Sequence, residues 1–263
     1  MQKVNSKDGT AIAFDKTGQG PALILVGGAL SDRSAATPYT PLLSPHFTLF
    51  AYDRRGRGDS GAKAPYTVKR EVEDIDALIQ EAGGSAFVFG HSSGAVLALE
   101  AAAHGLSITR LALYEPPFIV DDSRPPVPKD YVEQLNALIS AGRRGDAVEL
   151  FMTNAVGVPH DMVAQMRNSP MWAGMEKIAH TLAYDGKIMG ENMAGKPLRA
   201  KQWECVTTPT LVMDGGASEY WAHNAVQALA DALPNAQRRT LEGQTHGADP
   251  AMLAPVLVEF FLS

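Results

Sequence analysis

Short apolar runs, each bounded by glycine, aspartate or proline, punctuate the first half of the chain. AIAF at 11–14 follows Asp8-Gly9, ALILV at 22–26 follows Gly20-Pro21, and FTLFAY at 47–52 ends at Asp53. FVF at 87–89 follows Gly83-Gly84, and RLALY spans 110–114. Their lengths and nearly continuous apolar character predict strands buried on both faces. Between them the period changes. Val72, Ile75, Leu78 and Ile79 fall on one helical face. AVLALEAAAH, just after Ser92, is apolar on most faces and stops at Gly105, so a buried helix capped at that glycine is expected.

Alternating strands and helices of this kind imply a mostly parallel sheet covered by helices. The pattern breaks between about Pro116 and Glu204, where only helical periods are found, such as Tyr131, Leu135, Leu138 and Ile139. It resumes with TLVM at 210–213, a helix near 221–232, a short RRTL strand at 238–241 and a last helix at 250–262. The expected organisation is one α/β core, residues 1–117 and 204–263, interrupted by a helical insertion at 118–203.

Composition narrows the function classes. A chain of 263 residues can bury one large core. The formal charge of −6 argues against nucleic acid or an anionic membrane as partner. The start, MQKVNSKDGT, has no apolar leader segment. The lone Cys205 excludes an internal disulfide, fits a reducing compartment and reads as a small buried hydrophobe. These features predict a soluble, cytoplasmic protein acting on a small molecule; they leave the oligomeric state open.

The run FVF leads into Gly90-His91-Ser92-Ser93-Gly94, a G-x-S-x-G pattern with a strand before it and a helix after it. So tight a turn needs small residues two before and two after the nucleophile. Centred on Ser92 the flanks are Gly90 and Gly94; centred on Ser93 they would be His91 and Ala95. Ser92 is therefore the candidate nucleophile.

With this elbow, and with Asp53-Arg54-Arg55-Gly56-Arg57-Gly58-Asp59-Ser60-Gly61 matching D-x-R-G-x-G-x-S, the chain resembles the α/β-hydrolase superfamily over its whole length. The resemblance implies the α/β-hydrolase fold: a mostly parallel central sheet flanked by helices, with an α-helical cap inserted after the sixth strand. It also implies that the arginine-rich loop fixes the chain near the elbow, rather than forming a phosphate patch. His246, after the last short strand, stands where the family places its base. His91 should point into the fold, and His180, in the insertion, could touch a substrate.

The acid departs from the family pattern, because its usual position falls on Ser218. Two carboxylates compete. Glu115, before Pro116-Pro117 at the end of the strand preceding the insertion, occupies a position used by some branches, haloalkane dehalogenases among them. Asp214, at the end of TLVM, is the alternative, although it stands early for the turn concerned. The oxyanion donors implied are the amides of Ser93 and of Ala29. Ala29 follows Gly27-Gly28, where Gly27 replaces the family's histidine.

Seven of the ten methionines lie between Met152 and Met193, which suits an adaptable pocket for an apolar or aromatic group. The implied activity is serine-dependent hydrolysis of an ester, thioester or lactone, with no metal or organic cofactor needed. Serine at 92 speaks against the aspartate-nucleophile chemistries of dehalogenases and epoxide hydrolases. The alternatives are C–C bond hydrolysis, lyase, isomerase or perhydrolase chemistry, or a binding protein with a vestigial triad.

Overall fold

The computed structural model describes residues 1–263, with every side chain except that of Ala200. Its strands are β1 (Gln2–Asn5), β2 (Ala11–Thr17), β3 (Ala22–Val26), β4 (Thr48–Tyr52), β5 (Ala86–His91), β6 (Ile108–Tyr114), β7 (Thr210–Gly215) and β8 (Ala236–Leu241). They form one sheet in the order β1-β2-β4-β3-β5-β6-β7-β8. The pairs β1–β2 and β2–β4 are antiparallel and the rest parallel.

Side chains alternate across the sheet, as the period of two along a strand requires. Ile24, Val26, Val88, Leu111, Leu113 and Val212 pack on one face. That face is covered by α2 (Val68–Glu81), α3 (Ser93–Ala103) and α9 (Tyr220–Ala232). Leu23, Leu25, Phe89, Ala112, Leu211 and Met213 pack on the other, beneath α1 (Thr40–Leu43) and α10 (Pro250–Leu262).

Between β6 and β7 the chain forms α4 (Tyr131–Ser140), α5 (Arg144–Leu150), α6 (His160–Met166), α7 (Pro170–Ile178) and α8 (Leu182–Met189). Tyr131, Leu135, Val148, Val163, Trp172 and Leu182 give this segment a small core of its own. A π-helical stretch, Phe151–Val156, directly follows α5. Among the described residues, no helix is long and apolar enough to cross a membrane.

One strand lies outside the expected set, and one local expectation needs correction. Strand β1 has no apolar run, because it is an edge strand whose residues are largely exposed. Cys205 is exposed instead of buried; Val206 takes the interior place beside it.

Strand register sets up the site. Val26 of β3 pairs with Gly90 of β5, and His91 of β5 pairs with Tyr114 of β6. The residues that follow, Ala29, Ser92 and Glu115, therefore emerge side by side at the carboxyl ends of adjacent strands. Here β3 meets β5 and the chain order reverses, which is where open α/β sheets form their ligand crevice.

Candidate active site

Ser92 links β5 to α3 with φ 58° and ψ −128°. This left-handed conformation is unfavourable for a residue with a Cβ. It persists because the flanks are glycines in contact with backbone. A Cβ on Gly90 would lie 2.5 Å from the Gly94 carbonyl oxygen, and one on Gly94 would lie 2.3 Å from that of Val26. The Ser92 amide donates to the Tyr114 carbonyl at 2.9 Å, which locks the elbow to β6.

His246 lies on the loop between β8 and α10. Its Nδ1 is 2.7 Å from Oε2 of Glu115. The other Glu115 oxygen accepts from the Gly215 amide at 2.8 Å and from the Ser218 hydroxyl. Burial pushes the Glu115 carboxyl up, but the bonds from His246, Ser218 and Gly215 outweigh it and hold the pKa below the ordinary value. Ser218, at the position where the family's acid is expected, thus serves a carboxylate supplied by the neighbouring strand.

Asp214 does not meet His246. It is fully buried and bonds to Nδ1 of His223 at 2.5 Å, Nη2 of Arg238 at 2.8 Å and the Thr240 hydroxyl at 2.8 Å. Strand alternation explains this: Met213 packs on the α10 face, so Asp214 turns to the α9 face, where His223 stands. Glu115 escapes the alternation because its φ of 44° breaks the strand and re-aims the side chain.

His91 Nε2 lies 2.8 Å from the His246 carbonyl oxygen, and the two rings are 4.8 Å apart. The ring also packs on Tyr114. Burial, helped by the charge of His246, pushes its pKa down to about 4. His91 therefore braces the loop that carries His246. His180 instead packs its Nε2 2.9 Å from the Gly56 carbonyl oxygen and does not line the cavity.

The loop after β4 carries three buried arginines, each with carboxylate partners. Arg54 binds Glu71 and Asp185, Arg55 binds Asp8 and Asp74, and Arg57 binds Asp185. This pairing leaves no phosphate patch. Arg57 Nη1 donates to the Gly28 carbonyl at 2.5 Å and Arg54 Nη1 to that of Gly27 at 3.3 Å, so the loop leading to Ala29 is held from behind. Asp185, on α8, also accepts from the Ser93 hydroxyl at 2.7 Å. Burial pushes Asp185 up, but Arg57 and Arg54 prevail and keep it below the usual carboxylate range.

A cavity of about 790 Å³ lies over these residues, lined by Ala29, Ser92, Ser93, Glu115, Ser218 and His246 from the core. Tyr131, Phe151, Met189, Met193 and Trp221 supply apolar surface. A second cavity of about 450 Å³ shares Ala29, Ser92, Phe151, Val156 and His246 with the first, so the two meet at the serine and the histidine. No hydrogen bond joins the Ser92 hydroxyl to the His246 ring, although both line the two cavities.

The methionine expectation holds only in part. Met152, Met189 and Met193 line the cavities, whereas Met162 and Met171 are exposed. Sequence reasoning missed Asp185, the brace made by His91 and the donor role of Ser218, which no spacing rule announces.

Comparison with known proteins bears on the fold and the family. A crystal structure of an alpha/beta hydrolase from Sphaerobacter thermophilus superposes with a TM-score of 0.92 at 59% identity, covering 99% of this chain and 100% of that one. An enol-lactonase from Burkholderia xenovorans superposes with a TM-score of 0.73 at 21% identity, covering both chains completely. The 2-(acetamidomethylene)succinate hydrolase of Mesorhizobium japonicum is 26% identical over 239 residues, 87% of this chain and 82% of that protein. The model of the alpha/beta hydrolase family matches residues 23–258. That match spans the sheet from β3 onward and each group described around Ser92 and His246, and the chain belongs to the alpha/beta hydrolase family.

Proposed function

We propose that the protein is a serine hydrolase of carbonyl substrates, an ester, thioester or lactone with a largely apolar part. The observation that carries the reading is the 2.7 Å contact between Glu115 and His246 in the cavity that also contains Ser92. The Mesorhizobium relative, itself named a hydrolase, supports it.

In this reading the Ser92 oxygen attacks the carbonyl carbon as its proton passes to Nε2 of His246. Glu115 holds the Nδ1–H tautomer and stabilises the imidazolium. The tetrahedral oxyanion lies between the amides of Ser93 and Ala29, each worth roughly 3 kcal/mol to such an intermediate. His246 returns the proton to the leaving oxygen or sulfur. Water, deprotonated by His246, then releases the acid and restores Ser92. The segment between β6 and β7 acts as a cap, and the two adjoining cavities separate the acyl part from the leaving group. Arg54, Arg57 and Asp185 keep the two amide donors in place.

A fluorophosphonate probe tests the reading. Covalent labelling that disappears in Ser92→Ala, together with hydrolysis of short 4-nitrophenyl esters, is expected. An intact protein that neither labels nor hydrolyses any of them would point instead to a binding role or to lyase chemistry.

A further inference from the structure

Among the described residues, seven buried side-chain atoms lack a hydrogen-bond partner. Two of them, Nη1 of Arg124 and the hydroxyl of Tyr131, belong to residues lining the cavity over Ser92. An unpaired buried donor is costly, and a guanidinium without a counter-charge is costlier still. The buried arginines Arg54, Arg55 and Arg57 all have carboxylate partners, although Nε of Arg57 is itself unpaired. Arg124 has no carboxylate partner. Glu219, exposed on the same cavity wall, acts on it by charge alone, without an ion-pair contact.

Arg124 is also held ready. Its guanidinium lies 4.6 Å over the Trp221 ring, so one face is covered and the hydrogen-bonding edge is left available. Its Nη2 donates at 3.3 Å to the Asn154 carbonyl in the π-helical stretch. The prolines on its C-terminal side, Pro125 and Pro126, line the same cavity and limit the backbone.

We propose that Arg124 forms a carboxylate-binding subsite in this cavity, and that the substrate carries a free carboxylate besides the carbonyl that Ser92 attacks. A single charge fits best. Glu115 and Asp185 in the same cavity already have their own partners, leaving one guanidinium to be neutralised. A dianionic phosphate would exceed that and face Glu219 as well. The chemistry resting on this subsite is the hydrolysis proposed above, but binding can be measured without it.

The experiment uses full-length Ser92→Ala protein, which cannot turn over an ester. Monomethyl succinate, glutarate and adipate are titrated by calorimetry at neutral pH, beside methyl butanoate, pentanoate and hexanoate as neutral counterparts. At least one half-ester should bind about 10- to 100-fold more tightly than its counterpart. Arg124→Gln should remove the preference, and Arg124→Lys should keep part of it. Equal or undetectable binding of every pair, or a preference that survives Arg124→Gln, overturns the subsite. Failure of the hydrolase reading shows separately, as absent fluorophosphonate labelling of protein with Ser92 intact.

Discussion

The Ser93 hydroxyl donates to Oδ1 of Asp185 at 2.7 Å, across 92 positions of sequence. The residue directly after Ser92 is thereby anchored to α8 of the inserted segment. The same carboxylate neutralises Arg54 and Arg57, whose other donors hold the carbonyls before Ala29. Asp185→Ala leaves two buried guanidinium groups short of counter-charge. The expected cost is about 3–5 kcal/mol of stability, read from urea denaturation, with Asp185→Asn falling between the two. A midpoint unchanged in the alanine variant would show that the cluster does not bind the segment to the core.

Glu115 and Asp214 should separate cleanly by kinetics. Glu115→Gln removes the charge opposite His246, and turnover of an ester should fall on the order of 10⁴-fold. Asp214→Asn should leave turnover within about twofold while lowering stability by roughly 1–3 kcal/mol, because Arg238 and His223 lose a buried partner. The reverse pattern in steady-state rates would transfer the role to Asp214.

Ser218 donates to the same Glu115 oxygen as the Gly215 amide. Ser218→Ala deletes one of the bonds that keep this carboxyl acidic, so its pKa should rise toward the ordinary value. Turnover should drop by about tenfold, and the loss should be greater at acidic pH than at neutral pH. A loss uniform across the pH profile would indicate repacking of the loop instead.

His91 gives a pH signature in stability. Its pKa is about 4 in the folded protein against 6.5 for the free side chain. Between those values the unfolded chain binds the extra proton, so stability falls as pH is lowered through that window. Denaturation at pH 7 and at pH 5 should show His91→Gln losing less stability on acidification than the parent protein. Equal slopes would mean that His91 titrates normally.

Much of the architecture is legible from hydrophobic runs, because strands buried on both faces have few alternatives. The elbow is legible for a steric reason: only Gly90 and Gly94 leave room for the backbone contacts around Ser92. The acid is harder to read. Glu115 and Asp214 both end parallel strands, and the sequence leaves open which of them turns toward His246. The outcome depends on the left-handed turn at Glu115 and on the α9 face seen by Asp214. Asp185 and Arg124 are harder still, since their partners lie on other elements and nothing periodic marks them. Gln2–Asn5 carries one apolar residue, too little for its pattern to declare a strand.

Ser92 and Glu115 end neighbouring strands, and both hold positive φ, at 58° and 44°. Glycine would accept either conformation at lower energy. Directed evolution that rewards heat resistance alone should therefore drift toward glycine at these positions, yielding sturdier proteins that have lost their chemistry. Any stabilisation campaign on this scaffold has to carry an activity screen at every round, because the bends that aim these two side chains are also places where the backbone gains by relaxing.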